Sequence, residues 1–232
     1  MIESRCGLLC SKCSYRESHG CKGCAETNGH PFYGECRVAR CCQGKGQQHC
    51  GECSDMPCKV LYSFSFLDKE HGDNPPGARL EVVEGWALEG DRTSKPLHIK
   101  AAGIMRNAET ATIAVIDENG FPKASTISNI KTDGTKLAWF STGLRSVKVR
   151  GLLKNNKCSV CYTDGNNNVT LQGTAEILTD PDTKRRLWLD WYINHFPGGI
   201  EDPNYCILRF TAKKAVLWID STEEELEFSD IG

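Results

Sequence analysis

The sequence has no surplus of positive charge: across 232 residues, 28 lysines and arginines face 30 aspartates and glutamates, for a net charge of −2. Without a cationic excess there is no general means of holding a polyanion through counterion release, so nucleic acid is not the expected partner. It also lacks any run near the roughly 18 apolar residues that a membrane span requires. The start Met1-Ile2-Glu3-Ser4-Arg5-Cys6 lacks the apolar stretch of an export signal. The expectation is a soluble, cytoplasmic chain without membrane contact. Three further absences concern catalysis: there is no Ser-His-Asp set, no Cys-His pair at catalytic spacing, and no phosphate loop of the G-x-x-x-x-G-K type. Finally, residues 6–58 carry too few apolar side chains to pack a core of their own.

What that stretch has instead is sulfur. Eleven of the 14 cysteines fall within residues 1–58, roughly 19% of the stretch against the about 8–10% that marks a cross-linked scaffold. In a reducing compartment such a cluster reads as metal thiolates rather than disulfides. The candidate ligands are Cys6, Cys10, Cys13, Cys21, Cys24, Cys36, Cys41, Cys42, Cys50, Cys53 and Cys58. The pairs Cys10/Cys13, Cys21/Cys24 and Cys50/Cys53 have the C-x2-C bite of zinc knuckles. Two zinc ions with four thiolates each would use eight of the eleven and would supply the folding energy the segment lacks. An iron–sulfur cluster is the competing answer, because Cys6, Cys10 and Cys13 also have C-x3-C-x2-C spacing. His19, His30 or His49 could replace a thiolate. Cys158, Cys161 and Cys206 fall in expected strands and read as small buried hydrophobes.

The chain reads as a cysteine-rich domain over residues 1–66, a docking and linker segment over 67–93, and a mainly β domain over 94–232. Val60 to Leu67 is the first apolar run, and Leu80 to Gly90 a weak helix. The second module is expected to open near Thr93 or Ser94 with a helix whose first turn holds Pro96. The period then changes from helical to two. Residues 111–116 and 121–130 alternate around the hairpin turn Asp117-Glu118-Asn119-Gly120, and a strand from Lys136 to Thr142 follows. A helix over 146–154, strands over 158–163 and 169–178, one aromatic helix from Asp180 or Asp182 to His195, and strands over 205–211 and 215–220 complete the pattern. Six or seven antiparallel strands with inserted helices predict a split β-barrel, which closes to hide its edges. No internal repeat is visible, and Glu223 to Glu227 reads as a solvated acidic end.

Within this module, Ser141 and Thr142 end a strand, Ser146 stands where a helix would be capped, and Lys148 follows in its first turn. Hydroxyls, free helix N–H groups and a cation in that order make a natural phosphate site. The segment Phe140-Ser141-Thr142-Gly143-Leu144-Arg145-Ser146-Val147-Lys148 resembles the FMN-binding split-barrel superfamily of pyridoxamine 5'-phosphate oxidase-like proteins, nearest its general-stress-protein branch. The strand Ser125 to Lys131, the Gly-x-Ala strand Val169 to Glu176, and His195-Phe196-Pro197-Gly198-Gly199 after Trp188, Trp191 and Tyr192 are similar to further pieces of that family, over about residues 94–220. The resemblance implies FMN as cofactor and a homodimer with flavin between two barrels. It implies that Thr126, Ile127, Ser128, Lys131, Ser141, Thr142, Ser146, Lys148 and Asn168 bind the cofactor, with His195 on the substrate side. Oxidase relatives carry Arg at the position of Thr126, so the oxidase's phosphorylated vitamin substrate is not expected. The cysteine-rich stretch is similar to an uncharacterised domain family that begins Cys-Gly-Leu-x-Cys and ends near Pro-Cys, as Met56-Pro57-Cys58 does here.

The expected function is therefore an FMN-dependent oxidoreductase acting on a small molecule, with no catalytic acid or base identified. Two other readings stay open: a non-catalytic flavin-binding or redox-sensing protein whose cysteine-rich domain contacts a partner, and an iron–sulfur/flavin electron carrier.

Overall fold

The computed structural model describes residues 2–90 and 94–231. The chain divides into two compact units, Met1–Lys100 with Ser229–Gly232, and Ala101–Phe228.

In the first unit, sulfur occupies places that leucine or valine would fill elsewhere. Its core gathers eleven buried residues, five of them cysteines, around Val38, Met56, Leu61, Leu80 and Val83. Helix α1 (Arg37–Gly44) buries Val38, Ala39 and Cys42. Helix α2 (Ala78–Leu88) buries Leu80, Val83 and Ala87, and with them the charged Arg79 and Glu84. Arg79 is tolerated there because its Nε lies 2.6 Å from Asp73 Oδ1, and both side chains are almost wholly buried. Asp73 Oδ2 in turn accepts hydrogen bonds from the Arg79 N–H, at 3.0 Å, and from the Ser65 hydroxyl. All fourteen cysteines are free thiols.

The second unit is an antiparallel barrel. After helix α3 (Leu97–Asn107) come β1 (Thr110–Ile116), β2 (Pro122–Asp133), β3 (Leu137–Gly143), helix α4 (Val147–Lys154), β4 (Lys157–Asp164), β5 (Asn167–Leu178), helix α5 (Pro181–Arg186), β6 (Tyr205–Ile219) and β7 (Thr222–Glu227). The strand order is β3-β2-β1-β4-β5-β6-β7, and β3 also pairs with β6. That last pairing closes six strands on themselves and leaves β7 as an extension of the second half of β6. The apolar positions of the alternating strands line the interior: Ile113, Phe140, Val160, Leu171, Leu208 and Phe210 are fully buried. Tyr162 reaches the same interior and donates its hydroxyl to Asn129 Oδ1 at 3.1 Å. The Asn129 amide then donates to the carbonyls of Met105 and Ala108, at 3.0 and 2.8 Å, fixing the end of α3 to the barrel.

Four expectations need correction. The aromatic segment is not one helix to His195: α5 ends at Arg186, and a separate 3-10 turn spans Asp190–Asn194. The two strands expected over 205–211 and 215–220 are a single fifteen-residue strand, β6. It stays continuous because a bulge at Gln172/Gly173 absorbs the extra residue around Lys213. Gly173 is required at that bulge, where a Cβ would lie 2.0 Å from the Thr211 carbonyl oxygen. The acidic end is β7, with Glu225 opposite Val216 and Glu227 opposite Lys214. Helix α3 begins at Leu97, behind Pro96, whose carbonyl accepts from Ile99 and Lys100; Thr93 lies outside the described residues.

Candidate functional site

Strand alternation sorts the candidate residues. Ser128 stands opposite Ser141, and Lys131 opposite Trp139. Ser128 and Lys131 are an odd number of residues apart and in a regular strand would face opposite ways. The bulge between Asn129 and Lys131 inserts one residue and returns Lys131 to the face of Ser128. Thr126, Ser128, Lys131 and Ser141 therefore form one row, while Ile127 turns to the other face and is buried. Lys131 Nζ lies 3.4 Å from the buried Asp133 and 5.8 Å from the centroid of the Trp139 ring.

Thr142 points to the opposite face from Ser141 and stands across from Cys206 on β6. Its hydroxyl is 3.5 Å from Ser146 Oγ. Ser146 caps α4 by accepting the Val149 N–H at 3.3 Å. The remaining N–H groups in the first turn of α4 have no intrahelical acceptor. Lys148, in that turn, is half-buried, and burial holds its ammonium below the ordinary lysine value. The Cys206 thiol works weakly in the other direction. Among the described residues Lys148 has no hydrogen-bond or ion-pair partner. A half-buried cation without an anion is costly, and an arriving anion would recover that cost.

The turn between β3 and α4 is braced from outside by residues that sequence reasoning missed. The Leu144 N–H donates to the Asn204 carbonyl at 2.7 Å, and the Arg145 N–H to Asn204 Oδ1 at 3.0 Å. Gly143 lets this side chain lie close, since a Cβ there would be 2.7 Å from Asn204 Nδ2. Asn204 is held by its own N–H to Asp202 Oδ1 at 2.8 Å, and the Asp202 carbonyl accepts from buried Lys184 at 3.0 Å. The only hint in the sequence is the turn-forming run Asp202-Pro203-Asn204.

Two candidates lie elsewhere. Asn168 is half-buried at the start of β5, opposite Trp218 on β6, whereas Ser141 is opposite Ile207. Those levels are eleven residues apart on β6, but the other way round the closed barrel Asn168 pairs with Thr163 on β4, and the register continues through Thr110 on β1 to Ser128 and Ser141, about 19 Å around four strand spacings. His195 is exposed beside Trp191, with ring centroids 5.6 Å apart.

In the cysteine-rich unit the thiols meet in pairs. Cys42 Sγ lies 3.5 Å from Cys50 Sγ. The Cys24 thiol donates to Cys36, which also receives the Tyr33 hydroxyl and the N–H groups of Val38 and Ala39; against burial, these pull Cys36 down to about 5. Burial pushes Cys10 up to about 11, helped by Cys6, Cys13 and Cys21 around it. Lys45 Nζ donates to Cys53 Sγ at 3.1 Å. Of the three candidate histidines, His49 is buried, and its Nδ1 accepts from the Gly51 N–H at 3.2 Å; His19 and His30 are exposed. Among the described residues no three Cys, His, Asp or Glu side chains close around one ion. The donor chemistry suits a thiophilic metal, and the side chains as placed stop short of a closed tetrahedron.

Six antiparallel strands closed through β3 and β6, with a capped helix inserted behind the hydroxyl-bearing strand end, define a small barrel of the split type. The chain belongs to the pyridoxamine 5'-phosphate oxidase-like family, which matches residues 99–229. Residues 2–63 match a second family, described as a protein of unknown function (DUF3795). The barrel is similar to the crystal structure of a protein from Clostridium acetobutylicum related to general stress protein 26 of Bacillus subtilis and described as of the pyridoxinephosphate oxidase family. The identity is 31% and the TM-score 0.53, over 56% of this chain and 94% of that one. General Stress Protein 26 from Bacillus anthracis is similar at 20% identity and TM-score 0.49, over 56% and 98%. A heme binding protein from Mycobacterium smegmatis is similar at 15% identity and TM-score 0.48, over 57% and 58%. No curated protein matches the chain. No helix among the described residues is long and apolar enough to cross a membrane.

Proposed function

We propose that this protein is an FMN-dependent oxidoreductase acting on a small molecule, working in the cytoplasm as a homodimer, with zinc in its cysteine-rich unit. The observation that carries the reading is Lys148, a half-buried ammonium without an anion, one turn beyond the hydroxyls of Thr142 and Ser146. A mononucleotide phosphate supplies the missing charge, and the α4 amides and the two hydroxyls supply its hydrogen bonds. The row Thr126, Ser128, Lys131 and Ser141 then offers polar partners along β2 and β3 for the rest of the ligand. Hydride or electron transfer is the chemistry FMN contributes when bound, so the chain need only orient it and leave one face open. Within this reading the flavin lies between two barrels, and Asn168 is assigned to the site from the second copy.

The test mixes variants. The wild-type chain takes up about one FMN per copy, followed by quenching of flavin fluorescence. Lys148→Ala and Asn168→Ala, each alone, bind more weakly. Their unfolded and co-refolded mixture regains wild-type affinity in a fraction of sites, since some dimers then hold one site with both residues intact. No uptake by the wild-type chain removes the flavin reading; uptake without recovery in the mixture removes the shared site.

A further inference from the structure

A buried phenol in the barrel unit has no hydrogen-bond partner. Tyr192, in the 3-10 turn Asp190–Asn194, is 1% exposed, and among the described residues its hydroxyl meets neither a donor nor an acceptor. The ring is held by its neighbours, with centroid distances of 4.5 Å to Trp191, 5.7 Å to Trp188 and 6.1 Å to Tyr205. The backbone is held too: the Tyr192 N–H donates to the Leu189 carbonyl at 2.9 Å, and the Tyr192 carbonyl accepts from His195 and Phe196 at 2.9 Å each. Phenylalanine would satisfy that packing equally, without burying an unpaired polar group. The hydroxyl therefore needs a use outside the turn.

Its position supplies one. Tyr205 stands opposite Gly143, and Ile207 opposite Ser141. Residues two apart on a strand share a face, so Tyr205, Ile207, Ser141 and, across on β2, Ser128 lie on one side of the sheet. That is the side of the polar row Thr126, Ser128, Lys131 and Ser141. The rings of Trp188, Tyr192 and Phe196 all pack on Tyr205, so the aromatic turn covers this side next to Ser141. Burial holds the phenol above its ordinary value, and the Ser141 hydroxyl, beside it but outside hydrogen-bond geometry, works the other way. Two hydroxyls, one from β3 and one from the turn, thus stand side by side without bonding each other.

We propose that Tyr192 is a cofactor-binding residue, whose hydroxyl and that of Ser141 together hold the polyol chain joining the phosphate of FMN to its ring. The proposal rests on the flavin reading above and adds a residue to it. The order along the strand sets which part of the ligand is met. Thr142, next after Ser141, begins the phosphate cradle with Ser146 and Lys148, while Ser128 and Thr126 lead away along β2. Between its anionic end and its ring FMN is a chain of hydroxyls, which a phenol and a serine can both donate to and accept from. A chain hydroxyl completes the bond that Tyr192 lacks, so the cost of the unpaired phenol in the free protein is recovered on binding.

The test is Tyr192→Phe in the full chain, titrated with FMN, riboflavin and lumiflavin, and melted without ligand. FMN and riboflavin, which share the chain, each bind roughly 3- to 10-fold more weakly, the loss of one hydrogen bond between neutral groups. Lumiflavin, which has the ring without the chain, binds variant and wild type alike. The ligand-free variant melts at or above the wild-type temperature, because a buried unpaired hydroxyl has gone. Unchanged affinity for FMN overturns the assignment, and so does an equal loss with lumiflavin, which moves the contact to the ring. A variant that fails to fold, or melts several degrees lower, makes the hydroxyl structural and overturns it as well. A wild type that binds no FMN removes the flavin reading together with this proposal; a wild type that binds FMN beside an unaffected variant removes this proposal alone.

Discussion

Replacing Lys148 by alanine weakens FMN binding roughly 10- to 150-fold, the range that follows from losing a charge-assisted hydrogen bond worth about 1.5–3 kcal/mol. The barrel itself should melt at nearly the same temperature, because Lys148 has no protein partner among the described residues and its removal relieves a desolvated charge. Lys148→Arg should recover part of the affinity, since it keeps the charge and loses only the compact ammonium geometry. Titration of each variant with FMN, alongside thermal unfolding, checks both halves. Unchanged affinity in Lys148→Ala would detach the lysine from the ligand. A large loss of stability with it would make Lys148 a structural residue.

The second large effect lies in the cysteine-rich unit. Asp73→Ala leaves the Arg79 guanidinium buried with no counter-ion and also removes the acceptor of the Arg79 N–H and the Ser65 hydroxyl. Removing one partner of such a pair costs about 3–5 kcal/mol. For a unit with so few large apolar residues that is a large share of the roughly 5–15 kcal/mol a typical domain possesses. The expected result is a urea midpoint for the first unit that falls sharply while the barrel transition stays in place. Circular dichroism resolves the two if they unfold separately, and tryptophan fluorescence gives a second probe, with Trp86 in the first unit. A first unit as stable as the wild type would show that the ion pair contributes nothing beyond its own desolvation.

Much of the barrel was legible because period-two alternation survives wherever one face is buried, as it does in β1, where exposed and buried residues alternate. Asp117 to Gly120 at the hairpin and Ser146 at the start of α4 carried their own local chemistry and fell where expected. What stayed hidden was decided by partners far away in sequence. β7 reads as an acidic tail because Glu223, Glu225 and Glu227 all face solvent; charge along the outer strand also guards a sheet edge, and only pairing with β6 separates the two meanings. The polar run Lys213-Lys214 looked like a break between strands, and it is a bulge of one residue in β6 that only the pairing with Gln172 and Gly173 on β5 reveals. Asn204 gave no signal because the amides it accepts lie about sixty residues earlier. The spacings show three C-x2-C pairs of equal weight, and the backbone gives only two of them the same turn.

The distribution of the candidate residues also bears on how the site works. Two faces of β3 contribute, Ser141 on one and Thr142 on the other, and they meet only at the strand end where Asn204 fixes the turn. Under the proposed reading, an anionic group bound there would be held by α4 and Lys148, and the uncharged remainder of the ligand would follow the β2 row.

Side-by-side titration of the metal-replete wild-type chain with FMN and with riboflavin, which differ only in the phosphate, tests the central claim most directly. If Thr142, Ser146 and Lys148 grip the anionic end, FMN binds roughly 100-fold more tightly than riboflavin, as two or more charge-assisted hydrogen bonds imply. Equal affinity for the two, or no binding of either, would contradict it.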